Sequence, residues 1–278
     1  MTMTFDPNTI ATYTSSDVEE WIGSYDEDGS AIGYIADQPE GAPMGLAFVR
    51  LRAGMTFDFA WPYDELSIVT KGKLTIRTAG RRVSARAGEI LNQPRGVQGT
   101  LDIEEDLEMI CVHHPTFAAA FGMTLAEYRA ASQAGTDPEM PPSTPRGPEW
   151  AGGFFDPTIM QHFTIADVAT WIPVDAEQRA YVGYIADQAE GSPMGIAFSD
   201  FRGAGVHELD FLYDEVAAIT KGSFTVHSQG RTFRVRAGEM LYMPKGVSAT
   251  FEIDEDTVAV GMHYPTFEAV MGYPPHQS

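Results

Sequence analysis

The chain has 278 residues, 44% of them hydrophobic, with 39 Asp and Glu against 18 Lys and Arg for a formal charge of -21. That length buries one large core or two ordinary ones, and two domains of modest size fit best. A field this negative repels phosphate backbones and anionic lipid surfaces, so neither nucleic acid nor a membrane is an expected partner.

The single cysteine, Cys111, excludes an intrachain disulfide framework. No apolar stretch approaches the roughly 20 residues that span a bilayer. The opening MTMTFDPNTIATYT lacks the basic start and apolar run of a secretory leader, so a reducing cytoplasm is the expected location.

In chain order, SSDVEEW at 15–21 carries a capping Ser or Asp and predicts one short helical turn. The stretch GYIADQPEGAPMGLAF at 33–48 sets Asp37, Gln38 and Glu40 in a loop punctuated by Pro and Gly, read as a structural loop bridging two copies of a repeat. The runs LSIVT, KLTIRT, EILNQP, GTLDI and LEMICVHH then follow, separated by the turns TKGK, TAGRR and RAGE, at the close spacing of strands in a sandwich or barrel. The acidic DIEEDLE lacks calcium-loop spacing and reads as a solvated turn. Cys111 has no visible activating pair and reads as buried strand packing. From residue 124, TLAEYRAASQ predicts a short helix, and the Pro- and Gly-rich stretch after it an extended linker.

The pattern then recurs. IADVATW at 165–171, GYIADQAEGSPMGIAF at 183–198 and YDEVAAITKG at 213–222 repeat earlier segments at a constant offset, and residues 13–122 align with 163–272 without a gap. This predicts a duplicated all-β chain: an N-terminal domain over 1–123, a helix and linker over 124–160, and a C-terminal domain over 161–278. Each copy should be a double-sheet jelly roll.

Each repeat resembles the cupin superfamily, and in detail the EutQ-like cupins of ethanolamine utilisation. The residues that carry this are Tyr63, Asp64, Glu65 and Gly72, then Gly88, Pro94 and Gly96, then HHPTF; the second copy has Tyr213, Asp214, Glu215, Gly222, Gly238, Pro244, Gly246 and HYPTF. The resemblance implies a bicupin of two barrels related by pseudo-two-fold symmetry, with a homodimer as a further possibility. It also brings an acetate kinase-like phosphoryl transfer as one candidate activity, although the chain has no phosphate-cradling glycine loop with its lysine.

A cupin metal site needs a His-x-His pair before the glutamate and another histidine after the Pro-x-Gly segment. Here those places hold Phe59, Trp61 and Gly99, and in the second copy Leu209, Phe211 and Ala249. No cofactor is therefore expected at the standard positions. The alternative is a divalent metal ion in the C-terminal barrel held by His207, His227, His263 and Glu215.

Alternation along a strand turns Tyr63 and Glu65 to one face, and a carboxylate in an apolar interior gains proton affinity. Tyr63, Glu65 and His113, with Tyr213, Glu215 and His263, are the candidate catalytic groups for an isomerisation, dehydration or elimination. Phe59, Trp61, Phe211 and His207 are the candidate substrate-binding residues. The favoured function is a small-molecule lyase or isomerase. The alternatives are a non-catalytic binding or sensing module, the acetate kinase-type activity, and a metal-dependent bicupin.

Overall fold

In the strand Arg81–Arg86, Val83 and Ala85 are buried while Arg82, Ser84 and Arg86 are exposed, the alternation of a strand with one wet face. Leu107–His114 is buried on both faces over most of its length, as a strand in the middle of a covered sheet must be. These two patterns recur through the computed structural model, which describes residues 4–136, 138, 154–175, 177 and 179–275.

The chain divides into two units of one plan. Among the described residues, the first has a seven-stranded sheet in the order Gln161–Phe163, Ile90–Gln93, Asp64–Lys71, Leu107–His114, Gly45–Leu51, Ser30–Ala36 and Trp21–Ile22. Facing it is a four-stranded sheet of Thr56–Ala60, Gln98–Ile103, Lys73–Thr78 and Arg81–Arg86. The second unit repeats both sheets, with Asp214–Lys221 and Thr257–Tyr264 at the centre of the larger one. All adjacent strands whose register is resolved run antiparallel. The two sheets of each unit are separate ladders packed as a jelly roll, without the continuous closure of a barrel. The first core lies between them, built from Leu74, Ile76, Val69, Leu91 and Leu101 with the Trp61 ring.

Each larger sheet is completed by chain that precedes the other repeat. Ala11–Tyr13 pairs with Met240–Met243, and Ile10 enters the core of the second unit. Gln161–Phe163 joins the edge strand Ile90–Gln93, and Met160 enters the core of the first. Both edges are thereby covered.

Helix is scarce. Residues 15–21 form turns, bends and a short strand in place of the expected helical turn, whereas Ile165–Asp167 is a single 3-10 turn boxed by Thr164 and Asp167. The helix expected after residue 124 is present as Leu125–Gln133, opened by the Thr124 and Glu127 capping box. The linker expected beyond it falls at 139–153, outside the described residues.

Two five-residue helices, Phe117–Phe121 and Phe267–Met271, had no sequence signal, and they explain the repeated loop. Asp37 is fully buried, accepting from the backbone N–H of Phe117 at 2.7 Å and of Ala118 at 2.8 Å. Asp187 accepts from Phe267 at 3.0 Å and Glu268 at 2.8 Å. The expected bridge between copies is thus a tie within each copy, because the aspartate satisfies N–H groups that open its own repeat's helix. Replacing Asp37 by Ala should cost about 1–3 kcal/mol by orphaning two buried donors. Urea unfolding checks this, and an unchanged midpoint would show the tie to be dispensable.

Candidate functional site

Antiparallel register sets one row of residues across the centre of each larger sheet. In the first repeat Gln93 stands opposite Glu65, Glu65 opposite His113, and His113 opposite Gly45. In the second the row is Met243, Glu215, His263 and Gly195. Gly45 has a steric role, since a Cβ there would lie 2.1 Å from the His113 ring, and one at Gly195 would lie 2.0 Å from His263. The ring occupies the space that any other residue's side chain would need.

The histidines are fixed in one tautomer. His113 Nδ1 lies 2.9 Å from the Pro115 carbonyl, which only accepts, so Nδ1 carries the proton and Nε2 is an acceptor. The Tyr34 hydroxyl, 3.1 Å away, donates to that Nε2, and the Tyr63 hydroxyl, 3.3 Å from Tyr34, donates in turn to Tyr34. Tyr63 also stacks flat on the imidazole at 3.7 Å between centroids. Burial pushes His113 down to about 4, so it is neutral at ordinary pH. The second repeat keeps most of this: His263 Nδ1 faces the Pro265 carbonyl at 3.0 Å, Tyr213 stacks at 3.8 Å, and burial takes His263 down to about 4. There, however, the buried Nε2 has no hydrogen-bond partner among the described residues. Burial also raises the phenols of Tyr34, Tyr63, Tyr184 and Tyr213, which stay protonated.

The carboxylates differ sharply. Glu65 Oε1 accepts from Ser67 Oγ and Gln93 Nε2, each at 2.9 Å, and Gln93 also donates to Ser67 Oγ at 2.7 Å. Cys111 Sγ lies 3.2 Å from the same hydroxyl. The matching positions of the second repeat are Ala217, Met243 and Gly261, and among the described residues no hydrogen bond reaches the Glu215 carboxylate. A Cβ on Gly261 would lie 2.6 Å from Glu215 Oε1, so the carboxylate occupies space that the cysteine side chain fills in the other copy. Burial alone pushes Glu215 up to about 7, whereas for Glu65 burial raises the pKa and donors from Ser67 and Gln93 pull it back.

Each row faces a cavity, of about 390 Å³ in the first repeat and about 240 Å³ in the second. Both are walled by apolar and aromatic side chains, and among the described residues no Lys or Arg lines either. Tyr63, Glu65 and His113 come together in one, with Phe59 and Trp61 on its wall; Tyr213, Glu215 and His263 come together in the other, with Phe211. His207 does not join them. It is buried against Phe201, with Nδ1 3.8 Å from Asp175, and is not part of the cavity lining.

The four-residue metal site of the second repeat is not assembled. Along Ser223–Ser228 the inward positions are Phe224 and Val226, so His227 points outward, 3.2 Å from Glu252 and 3.0 Å from Thr232. Among the described residues no group of three or more His, Cys, Asp or Glu could hold an ion. Phe59, Trp61 and Gly99, with Leu209, Phe211 and Ala249, offer no donor atoms at the standard positions, so the residues present do not fit a bound metal.

Tyr34, Ser67, Gln93 and Gly45, with their counterparts, are site residues that reading single strands missed. Comparing the copies carried part of the signal, because Ser67, Gln93 and Cys111 change to Ala217, Met243 and Gly261 inside otherwise matching segments.

This architecture is the cupin fold. Salicylate 1,2-dioxygenase of Pseudoaminobacter salicylatoxidans, in a complex with gentisate adducts, superposes with a TM-score of 0.64 at 11% identity, covering 93% of this chain and 82% of that one. Protein Ylba of E. coli gives 0.62 at 10%, covering 94% and 93%. A deletion mutant of the Bacillus subtilis oxalate decarboxylase OxdC gives 0.57 at 17%, covering 92% and 77%. The fold thus hosts enzymes, and at such identities the likeness extends to fold alone.

Within that fold the chain belongs to the family described as Ethanolamine utilisation protein EutQ, which matches residues 28–119 and again 173–268. The acetate kinase EutQ of Clostridioides difficile (strain 630) is 36% identical over 72 residues, 24% of this chain and 46% of that protein. The chain therefore spans about half the length of this relative. Among the described residues no helix is long and apolar enough to cross a membrane.

The bare Glu215 makes a prediction about stability. Its ordinary value is 4.5 and its folded value about 7, so the folded state binds the proton more tightly. Its contribution is full below pH 4.5 and is lost as pH rises through 7. The loss is on the order of 3 kcal/mol. His113 and His263 run the other way, their contribution being present above 6.5 and lost as pH falls toward 4. Glu215→Gln should therefore gain on the wild type between about pH 5 and pH 8. Urea unfolding at both pH values measures this, and a pH-independent difference would contradict the burial of a titrating carboxyl.

Proposed function

We propose that the protein is a small-molecule enzyme of the lyase or isomerase type, moving protons with the cavity carboxylate Glu215. One observation carries this reading: Glu215 is half-buried on the cavity wall opposite His263, with no hydrogen-bond donor among the described residues, and desolvation pushes it up to about 7, where it can both take and return a proton. In its ionised form Glu215 would remove a proton from carbon adjacent to a substrate carbonyl. The phenols of Tyr184 and Tyr213, kept protonated by burial and lining the same cavity, would donate to the oxygen on which charge develops. Returning the proton to another carbon completes an isomerisation; expelling a β-substituent completes an elimination. Substrate would be small and neutral, given a cavity of about 240 Å³ without Lys or Arg.

The phosphoryl transfer named for the Clostridioides relative finds less support, because neither cavity lining has a cation to neutralise phosphate. A binding or sensing module shares the apolar cavity but gives no use for a carboxyl poised near neutrality. Cytoplasmic location and a homodimer rest on the sequence and are proposed with it.

The test needs no knowledge of the substrate. Small neutral ketones and hydroxyketones incubated with the protein in deuterium oxide should lose α-proton signals in NMR, at a rate rising toward a plateau above about pH 7. Glu215→Gln should slow this by about 100-fold or more. Exchange absent from every compound, or unaffected by the substitution, would refute the proposal.

A further inference from the structure

Glu65 shares the fold position of Glu215 but not its setting. Ser67 and Gln93 both direct donors at its Oε1, and donors of that kind favour the ionised form. Burial still raises the Glu65 pKa and opposes that form, and in it the carboxylate meets no Lys or Arg among the described residues of the cavity lining. His113, opposite on the next strand, has its Nδ1 proton on Pro115 and its Nε2 lone pair on Tyr34, so it is held neutral. Glu65 is half-buried at the wall of an apolar cavity, where a cation set against it would favour its ionised form and be favoured by it.

The walls indicate what kind of partner would fit. Rings of Tyr34, Phe57, Phe59, Trp61 and Tyr63 surround the space in front of Glu65, with Phe59 edge-on to Trp61 at 5.0 Å. Aromatic faces attract cations, most strongly where water is excluded. A metal ion is poorly served by a single carboxylate, and no set of three ligands exists among the described residues. An organic cation can instead place its charge by the carboxylate and its alkyl groups on the rings. The volume of about 390 Å³ accommodates such a molecule. The second repeat lacks the arrangement, having Ala217 and Met243 where the donors stand.

We propose that the first-repeat cavity is a binding site for a small organic ammonium ion, its charge set against Glu65 and its alkyl groups against Phe57, Phe59 and Trp61. The net charge of -21 favours entry of such ligands. The site is independent of proton transfer in the second repeat.

Calorimetry with two probes of one shape decides it: choline, and its uncharged isostere 3,3-dimethylbutan-1-ol. The wild type should bind choline about 10-fold or more tightly than the alcohol. Glu65→Gln should abolish that preference while leaving alcohol binding in place, and Glu215→Gln should leave the preference intact. Equal affinities in the wild type, or a preference that survives Glu65→Gln, would overturn the assignment. Should Glu65→Gln fail to fold, the wild-type comparison decides alone. Deuterium exchange lost in Glu215→Gln alongside equal probe affinities would sink this site and spare the proposed function; the reverse pattern would do the opposite.

Discussion

Each repeat must keep a glutamate in the middle of an apolar sheet, and most of the surrounding structure is a response to that constraint. A carboxylate removed from water needs a cation, hydrogen-bond donors or a proton. No cation stands there among the described residues, because burial keeps the neighbouring imidazole neutral even though the Pro115 or Pro265 carbonyl accepts its Nδ1 proton. The imidazole in turn fits only because glycine stands opposite on the next strand and a tyrosine lies flat against its face. Changing the glutamate's neighbours therefore changes its protonation and leaves the scaffold largely untouched.

The duplication exploits that freedom. Ser67, Gln93 and Cys111 give Glu65 a polar surround, while Ala217, Met243 and Gly261 strip Glu215 of donors. The two side chains share a backbone position, a stacked tyrosine and a histidine partner, yet one is solvated by protein dipoles and the other by none. The contrast is one of setting at a shared position: donors from Ser67 and Gln93 oppose the effect of burial at Glu65, whereas at Glu215 burial acts alone.

Much of this was legible in the sequence. The runs KLTIRT and LEMICVHH coincide with the strands Lys73–Thr78 and Leu107–His114, and the spacing of Tyr63 from Glu65 put both on one cavity. Tyr34, Gln93 and Gly45 were not legible as site residues, because they reach Glu65 and His113 through a register between strands distant in sequence. His227 was misplaced for a related reason: a hairpin intervenes between its strand and those already oriented, and one residue of offset reverses the face. The three-residue strands Ala11–Tyr13 and Gln161–Phe163 are too short to carry a period, so the completion of each sheet by the segment preceding the other repeat left no pattern.

The same packing explains why one substitution would not restore a cupin metal centre here. A Cβ on Gly99 would lie 2.7 Å from Ile76, closer than side chains pack, and in ordinary contact at 3.5 Å with the Trp61 ring, so Ile76 stands against any larger residue at 99. The second repeat has Ala249 at the equivalent point, in the same core cluster as Phe211. Rebuilding the ion site would require removing the aromatic wall and relieving Ile76 together, with the new imidazoles desolvated before any ion bound. The aromatic lining is therefore an alternative stable solution of the fold, and in the second repeat it faces Glu215, which burial pushes up to about 7.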